Sequence, residues 1–156
     1  MKKIVVLSDT HGNIGAIRKI ENIIRESDMV IHLGDGYNDL NYLYPEIKGK
    51  LYRVHGNCDY GFDKEMIVET EGVKIFATHG DLYGVRRGAD RLVEAAKENG
   101  CIVALYGHTH VATIEEKDGI TVINPGTLER YGVKNSFCYL VVNGEKITAV
   151  INENAN

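Results

Sequence analysis

Five short polar motifs, each placed directly after an apolar run, constrain the fold of this 156-residue chain more than any other feature. The apolar runs have the length and composition of buried strands, so each motif falls where a strand ends. Open α/β sheets bind their ligands at the carboxyl ends of the strands, and we therefore expect the motifs to meet along one rim. In chain order they are Asp9-Thr10-His11-Gly12, Gly34-Asp35, Gly56-Asn57-Cys58-Asp59, His79-Gly80 and Gly107-His108-Thr109-His110.

The first half of the chain predicts parallel strands alternating with helices. Three apolar runs predict buried strands, at residues 4–7, 29–33 and 51–55. Over residues 14–24 isoleucines recur at helical spacing, behind Asn13, which can cap the helix. A short helix over residues 39–44 should end before Pro45, because a proline restricts the residue in front of it.

The second half of the chain is richer in antiparallel pairing. Three turn sequences between short strands predict hairpins: Glu71-Gly72, Asp118-Gly119 and Asn143-Gly144. A helix over residues 88–99, closed by Gly100, and a buried strand over residues 101–106 separate the first two hairpins. Two mixed sheets with helices on the outside accommodate both halves. We therefore predict an α/β fold, a four-layer α-β-β-α sandwich.

Composition places the chain among ordinary globular proteins. Hydrophobic residues make up 44% and charged residues 26%, and a chain of this length without linkers or repeats predicts a single domain over residues 1–156. The formal charge of -4 argues against strong nucleic-acid binding. The apolar run at residues 4–7 is too short for a signal peptide or a membrane helix. Three widely spaced cysteines predict no disulfide framework, so we expect a cytoplasmic protein.

Two pairs of motif residues have the spacing that a pair of metal ions needs. Asp9 and His11, and likewise His108 and His110, lie two residues apart in extended segments, so both members of a pair project to the same side. The metals of a hydrolytic pair lie about 3.5–4 Å apart. Residues with this spacing can span that distance with one ligand for each metal.

The side-chain types favour divalent transition metals. Asp9 and Asp35 supply two negative charges against four positive charges from two divalent ions, which leaves an electropositive pocket suited to a phosphate ester. The remaining candidate ligands are neutral: His11, Asn57, His79, His108 and His110. Oxygen and imidazole ligands favour manganese, iron, cobalt, nickel or zinc over calcium or magnesium. We predict two divalent transition-metal ions per chain; the ligand types alone do not choose among these metals, and we take manganese as the first choice.

The ordered motifs resemble those of the calcineurin-like metallophosphoesterase superfamily. The resemblance rests on Asp-x-His, Gly-Asp, Gly-Asn-x-Asp, His-Gly and Gly-His-Thr-His in this order, and it spans residues 2–127. The short length and the segment Asn124-Pro125-Gly126-Thr127 are similar to the small single-domain phosphodiesterase branch of that superfamily. The resemblance implies a phosphodiesterase that acts on small phosphate esters.

The resemblance also implies a role for each motif residue. One metal would be bound by Asp9, His11 and His110, the other by Asn57, His79 and His108, and Asp35 would bridge them. A hydroxide shared by the metals would attack phosphorus in line with the leaving oxygen. The catalytic residues would be Asn57, Cys58, Asp59 and His108.

One position departs from the commoner Gly-Asn-His-Asp pattern of the superfamily. Cys58 stands where a histidine, oriented by the following aspartate, helps to protonate the leaving group. A thiol is a weak hydrogen-bond donor without the charge of an imidazolium, so we infer weaker assistance to the leaving group. Substrates with good leaving groups, such as aryl phosphodiesters, should therefore react best. Asp59 lacks its usual partner, and its role stays open.

Other polar residues have both a structural and a functional interpretation. His32 and His55 lie inside strand runs and match no ligand position, so we interpret them as structural, with hydrogen bonding behind the ligands as the minor alternative. The segment 124–127 is either a simple turn or a support for the rim. Three arginines after His79 either begin a solvated helix, which we prefer, or contact the substrate phosphate: Arg86, Arg87 and Arg91.

Three functions compete on the sequence alone. The first is a phosphodiesterase whose partner is a small phosphate-ester substrate. The small branch is also similar to a retromer subunit that uses this fold to hold partner proteins, so a protein-binding scaffold with weak hydrolysis is the alternative. A nuclease would need a basic groove, which a net-acidic chain does not predict. The intact set of candidate ligands favours catalysis; no membrane partner is expected, and a homo-oligomer is compatible with the sequence.

Overall fold

The apolar runs form the inner strands of two sheets in a computed structural model, which describes residues 1–131 and 134–154. The described strands are β1 (Lys2–Leu7), β2 (Met29–His32), β3 (Leu51–Arg53), β4 (Glu65–Thr70), β5 (Val73–Thr78), β6 (Val103–Leu105), β7 (Thr113–Lys117), β8 (Ile120–Asn124), β9 (Asn135–Asn143) and β10 (Lys146–Asn154). The helices are α1 (Ile14–Lys19), α2 (Glu21–Glu26), α3 (Tyr44–Ile47) and α4 (Asp90–Glu98), and 3₁₀ turns cover Asn41–Leu43, Asp81–Tyr83 and Val85–Arg87. The predicted domain also includes residues 132, 133, 155 and 156, which lie outside the described part, so its bounds stay a prediction.

Each sheet has five strands and mixes parallel with antiparallel pairing. In the first sheet, with the order β10-β9-β1-β2-β3, the strands β1, β2 and β3 are parallel, and β9 and β10 are antiparallel additions. The second sheet has the order β4-β5-β6-β8-β7, in which β5, β6 and β8 are parallel and the edge strands are antiparallel. The parallel strands of each sheet therefore end at one common edge.

Alternation along the strands divides the apolar side chains among three buried clusters. Val6 of β1 belongs to the cluster between the sheets, together with Ile75 of β5. Its neighbour Val5 belongs to an outer cluster with Ile17 of α1, because successive residues of a strand point to opposite faces. A third cluster joins the outer face of the second sheet to Leu92 of α4. The layers are helix, sheet, sheet and helix, which confirms the predicted four-layer α-β-β-α sandwich.

Several local predictions are confirmed. Asn13 caps α1, and its side-chain oxygen accepts a hydrogen bond from the amide of Ala16 at 3.3 Å. Gly100 follows the end of α4 with a left-handed φ of +70°. The turns Glu71-Gly72 and Asp118-Gly119 join their strands as predicted, and all four residues have positive φ.

The helices of the first half differ from the prediction in two ways. The predicted helix over residues 14–24 is interrupted at Ile20, whose amide donates to the carbonyl of Ile17 at 3.0 Å and tightens the last turn of α1. Pro45 lies in the first turn of α3 instead of ending a helix, because at that position its missing N–H would have no helical partner. The longest described helix, α4, has nine residues. No described helix is long and apolar enough to cross a membrane.

The turn of the last hairpin is shifted by one residue from the prediction. Asn143 pairs with Lys146 across β9 and β10, so the turn residues are Gly144 and Glu145 instead of Asn143 and Gly144. Gly144 supplies the left-handed φ of +59° that the tight turn requires. The predicted hairpin is therefore present, with β9 extended to residue 143.

Candidate metal centre

The predicted ligands follow the carboxyl ends of parallel strands from both sheets. Asp9 lies shortly after β1, Asp35 after β2 and Asn57 after β3, all in the first sheet. His79 directly follows β5, and the segment containing His108 follows β6, both in the second sheet. Because the strand ends of the two sheets face each other here, the five motifs meet at one edge of the sandwich, as the sequence predicts.

The ligand loops are not the extended segments that the sequence predicts, but have an unusual, left-handed backbone conformation at most of the ligand residues. Apart from turn residues Glu71 and Asp118, the non-glycine residues with positive φ in the described chain are all predicted metal ligands: Asp9, His11, Asp35, His108 and His110. A left-handed conformation costs a non-glycine residue of the order of 1–3 kcal/mol, and such strain is concentrated at functional sites. The fold therefore maintains five strained residues at one place, which indicates a site rather than ordinary loops.

Asp9 is fully buried and contacts two of the predicted histidine ligands. Its Oδ1 lies 3.0 Å from Nε2 of His110 and 3.7 Å from Nε2 of His11. Its Oδ2 accepts hydrogen bonds from the hydroxyl of Ser8 at 2.5 Å and from the amide of His108 at 3.0 Å. One oxygen is thus held in position by the protein, and the other faces the centre.

Asp35 lies between the two halves of the predicted ligand set. Its Oδ2 is 3.3 Å from Nε2 of His79 and 3.7 Å from Nε2 of His11. Its Oδ1 accepts a hydrogen bond from the amide of Cys58 at 2.8 Å. A carboxylate placed between one histidine of each set has the position that a bridging ligand requires.

The remaining ligands form a second set of contacts around His108. Its Nδ1 lies 3.1 Å from Oδ1 of Asn57 and 3.2 Å from Nε2 of His79. His79 donates a hydrogen bond from Nδ1 to the carbonyl of Leu33 at 2.8 Å, which leaves Nε2 facing the centre. The structure thus brings all seven predicted ligands together.

The donor set fits divalent metal ions. Ligand atoms lie within 4.8 Å of one another in three groups: Asp9, His11 and His110; Asp9, Asp35 and His79; and His11, Asp35 and Cys58. Two buried carboxylates converge on His79 Nε2, at 3.9 Å for Asp9 and 3.3 Å for Asp35. A positive charge between two buried carboxylates stabilises them, and a divalent cation can supply it. Oxygen and imidazole donors are those that first-row divalent metals accept.

The carboxylates of the centre are held in their charged form. Burial opposes ionisation of Asp9, but the nearby imidazole of His11 and the charge of His79 outweigh burial and lower the pKa of its carboxyl. Burial also favours a higher pKa for Asp35, yet His79 and a hydrogen bond from the Cys58 amide lower the pKa of this carboxyl well below its ordinary value. Both carboxylates are therefore charged ligands at neutral pH.

The histidines of the centre respond to those carboxylates. The nearby carboxylate of Asp9 raises the pKa of His11, although partial burial acts against it. Burial disfavours the charged form of His79, but the adjacent carboxylates Asp35 and Asp9 raise its pKa overall. Burial and the positive charges of His79 and Arg86 lower the pKa of His108. The raised pKa values of His11 and His79 favour protons at positions that bound metal ions would occupy.

Asp59 has a structural role that the sequence left open. Its carboxylate accepts hydrogen bonds from the backbone amides of Asp35 at 2.7 Å and Gly56 at 2.8 Å, and further ones from Gly36 and Tyr37. Burial raises the pKa of Asp59, but these four amides outweigh burial and lower it. With these bonds Asp59 fixes the loop of Asp35, and its predicted catalytic role stays a prediction.

Cys58 lies at the exposed margin of the centre. Its amide holds Asp35, and its sulfur lies 3.7 Å from the side-chain nitrogen of Asn57. Burial and the charge of Asp35 raise the pKa of the thiol, which is therefore protonated at neutral pH. Beside it a small cavity of about 210 Å³ is lined by Tyr37, Asn38, His55, Cys58, Asp59 and Tyr60. A thiol group thus lies at the position where the commoner sequence pattern has the histidine that assists the leaving group.

His32 connects two ligand loops from behind. Its Nδ1 accepts a hydrogen bond from the amide of Gly34 at 3.0 Å, and its Nε2 lies 3.0 Å from the hydroxyl of Thr10. That hydroxyl donates to Oδ2 of Asp39 at 2.5 Å. Complete burial lowers the pKa of His32 to about 4, so the ring is neutral. The minor alternative for His32, support behind the ligands, is the one that the structure favours, whereas His55 stacks on Tyr37.

The segment 124–127 supports the rim and is more than a simple turn. Thr127 donates its hydroxyl to the carbonyl of Asp9 at 2.7 Å, and Asn124 donates its amide to the carbonyl of Gly107 at 3.1 Å. Gly126 has a φ of +86°, and a Cβ there would lie 1.9 Å from the hydroxyl of Ser136. The segment therefore holds the loops of Asp9 and His108 together.

Two charged residues outside the motifs contact the predicted ligands. Glu129 places Oε1 3.4 Å from Nδ1 of His110. On the opposite side Arg86 donates from Nε to Nε2 of His108 at 3.2 Å. No local pattern identifies Glu129, whereas Arg86 was among the candidates for phosphate contact. Arg87 and Arg91 line a separate cleft of about 310 Å³.

The chain belongs to the calcineurin-like phosphoesterase superfamily, whose domain matches residues 1–146. A relative from Bacillus subtilis, the probable metallophosphoesterase YsnB, is 30% identical over 95% of this chain and 88% of that protein. Phosphodiesterase MJ0936 from Methanocaldococcus jannaschii is 31% identical over 80% of this chain and 82% of that protein. The family membership and the ligand types agree that this is a metal-dependent phosphoesterase.

Solved structures share the fold at lower identity. Vacuolar Protein Sorting 29 from Cryptosporidium parvum has a TM-score of 0.77 and 19% identity, covering 99% of this chain and 98% of that chain. At this level of identity the likeness shows the fold alone. The fold is therefore shared by metallophosphoesterases and by a protein named for sorting, and the function has to be argued from the site.

Proposed function

We propose that this protein is a dinuclear metal-dependent phosphodiesterase that acts on small phosphate esters. The position of Asp35 is the observation that carries the proposal. Its Oδ2 lies 3.7 Å from His11 and 3.3 Å from His79, which belong to different halves of the ligand set. A single metal ion would need only one half of the ligand set. A carboxylate that lies between ligands of both halves suits two metal ions.

The assignment of ligands follows the contacts. We assign Asp9, His11 and His110 to one metal position, because their ligand atoms lie within 4.8 Å of one another. We assign Asn57, His79 and His108 to the other, on the basis of the contacts around His108 Nδ1. Asp35 is shared between the two positions.

The residues of the centre prepare it for an anionic ester. Two bound divalent cations would supply Lewis acids that activate water and neutralise charge on the phosphate. The carboxylates Asp9 and Asp35 compensate only half of that charge, so a bound phosphate finds a positive field. His79 is fixed by its bond to Leu33, and Asp35 by its bond to Cys58, so the ligands need no rearrangement during the reaction.

The chemistry of Cys58 supports a preference for diesters with good leaving groups. Its thiol is protonated and exposed, and it lies beside Asn57 at the margin of the centre. A thiol is a weak donor, so it gives little help to a poor leaving group. The relative MJ0936 is named a phosphodiesterase, which agrees with this preference.

Oxygen and imidazole ligands favour a first-row transition metal, with manganese as the first choice and nickel, iron, cobalt or zinc as alternatives.

The three cysteines all lie among the described residues and are free, which agrees with a reducing cytoplasm. We therefore propose a cytoplasmic enzyme with a single domain over residues 1–156. A homo-oligomer stays a prediction.

The alternative is a protein-binding scaffold with weak hydrolysis. It is favoured by the likeness in fold to Vacuolar Protein Sorting 29. Against it stands the complete ligand set, which a pure scaffold would not need. The two functions differ in turnover, and turnover therefore decides between them.

The test is hydrolysis of an aryl phosphodiester and of the matching monoester by metal-stripped protein titrated with Mn²⁺, Ni²⁺, Zn²⁺ or Mg²⁺. We expect diester turnover that saturates near two metal ions per chain. Preference for the monoester would retain the enzyme and overturn the interpretation of Cys58. Tight metal binding without turnover of either ester would favour the scaffold.

A further inference from the structure

Arg86 differs from its two neighbouring arginines in the direction of its side chain. Its guanidinium contacts His108 through a 3.2 Å bond from Nε to Nε2. Arg87 and Arg91 instead line the cleft of about 310 Å³, with Tyr83, Gly84, Gly88 and Asp90. Among these arginines Arg86 is thus the one that the described contacts join to a metal ligand.

The backbone that carries Arg86 is fixed to a ligand loop. Val85, the residue before it, is buried with 6% exposure. A Cβ at Gly80 would lie 2.8 Å from Cγ2 of Val85, so glycine allows the two segments to pack closely. Gly80 directly follows the ligand His79. The position of Arg86 is therefore set by the same segment that positions the metal ligands.

The partner of Arg86 has to change when His108 binds metal. In the described structure Nδ1 of His108 faces Asn57 and His79, and Nε2 accepts the bond from Arg86. A neutral imidazole that binds metal through Nδ1 carries its proton on Nε2. Two donors would then face each other, and the guanidinium would need another acceptor. Its five N–H groups form a fork that matches the oxygens of a phosphate.

We infer that Arg86 binds the phosphate oxygens of the substrate, and that metal binding by His108 makes its guanidinium available for this contact. The inference rests on the proposed phosphoesterase function. It assigns a substrate-binding residue at the side of the centre formed by His79 and His108. The competing acceptor is the carboxylate of Asp81, in the 3₁₀ turn Asp81–Tyr83 that directly precedes the turn of Arg86.

The experiment measures binding of inorganic phosphate to the Mn²⁺-loaded protein by calorimetry, without turnover. The variants are Arg86→Ala and Arg86→Lys, with Arg87→Ala as the matched control from the same turn. We expect Arg86→Ala to weaken phosphate binding about tenfold, as loss of charge-assisted hydrogen bonds at an exposed position would. Arg86→Lys should recover part of the loss, because a lysine keeps the charge without the fork. Arg87→Ala should stay within about twofold of the wild type.

A parallel Mn²⁺ titration separates substrate binding from a structural role. We expect Arg86→Ala to bind Mn²⁺ as tightly as the wild type or more tightly, because a positive charge beside His108 is removed. Unchanged phosphate affinity in Arg86→Ala, as expected if Asp81 takes the guanidinium, would overturn the inference. Weaker Mn²⁺ binding in that variant would also overturn it. Phosphate binding that depends on Arg86 in a protein without ester turnover would retain the inference and reject the phosphodiesterase.

Discussion

The two sides of the metal centre differ in the charge behind their histidines. On one side, with Asp9, His11 and His110, the carboxylate of Glu129 lies 3.4 Å from His110. On the other side, with Asn57, His79 and His108, Arg86 contacts His108 at 3.2 Å. We call the first the acidic side, because it contains the carboxylates of Asp9 and Glu129. We call the second the neutral side, because its predicted ligands Asn57, His79 and His108 bind metal as uncharged groups. Asp35 lies between them.

The difference teaches that histidine ligands on the two sides need not give their metal positions the same affinity. A carboxylate behind a histidine fixes the orientation of the ring and favours a bound cation, whereas a carbonyl does so less and a guanidinium opposes it. His110 has the carboxylate of Glu129, His79 the carbonyl of Leu33 and His108 the guanidinium of Arg86. We therefore expect the acidic side to hold its metal more tightly and the neutral side to attract the anionic substrate.

The largest effect is expected from Asp35→Asn, which removes the ligand that both sides share. Loss of its charge should lower kcat/KM for an aryl phosphodiester by about a thousandfold or more and weaken metal binding on both sides. Steady-state kinetics and a Mn²⁺ titration measure the two effects. Asp63→Asn, at an exposed acid outside the centre, is the control. Turnover near the wild-type level in Asp35→Asn would reject the shared ligand.

The next effect is a decline of metal affinity and activity with falling pH. Metal binds the neutral imidazole, and the pKa of His11 on the acidic side and of His79 on the neutral side are both raised. Protons therefore compete with metal from neutral pH downward, by about tenfold per pH unit for each histidine. Both sides should lose metal over the same range. A flat profile of activity from pH 8 to 5 would contradict histidine ligation.

A smaller effect, confined to the acidic side, is expected from Glu129→Gln. The amide cannot support His110 as a carboxylate does, so the tighter Mn²⁺ binding step should weaken about tenfold. Calorimetry of the metal-stripped protein measures both steps. The control is Glu116→Gln, at an exposed position towards the far end of β7. Equal affinities in Glu129→Gln and the wild type would show that the two sides do not differ through this carboxylate.

The smallest effect is expected from Cys58→His on the neutral side. An imidazolium can protonate a leaving group, whereas the thiol of Cys58 is a weak donor with a raised pKa. Hydrolysis of esters with poor leaving groups should increase a few-fold, while aryl diesters change less. Comparison with Cys58→Ala separates the gain of an imidazole from the loss of the thiol. An unchanged or lower rate with poor leaving groups would reject our interpretation of Cys58.

The fold and the convergence of the motif residues could be predicted, because both depend on local patterns in the sequence. Apolar runs gave the strands, and Glu71-Gly72 and Asp118-Gly119 gave two hairpins at the correct residues. The ligand motifs lie at strand ends, so a correct set of strands also brings the ligands together. Pro45 was misjudged because a proline is compatible with both the end and the beginning of a helix, and packing decides between them.

The specific contacts behind the ligands could not be predicted, because they join distant loops. Arg86 and His108 are 22 residues apart, and Asp59 reaches amides in the loop of Asp35. Thr127 reaches the carbonyl of Asp9 across 118 residues. Only the tertiary arrangement makes these pairs neighbours. Glu129 and Arg86, which distinguish the acidic from the neutral side, likewise reach their histidines only in the folded chain, so the asymmetry of the centre is a property of the fold.

The most direct test of two metal positions around Asp35 is anomalous X-ray diffraction from crystals of the protein grown with Mn²⁺. We predict two manganese peaks about 3.5–4 Å apart. One should contact Asp9, His11 and His110, the other Asn57, His79 and His108, and Asp35 should contact both. A single peak, or two peaks of which only one contacts Asp35, would contradict the dinuclear centre.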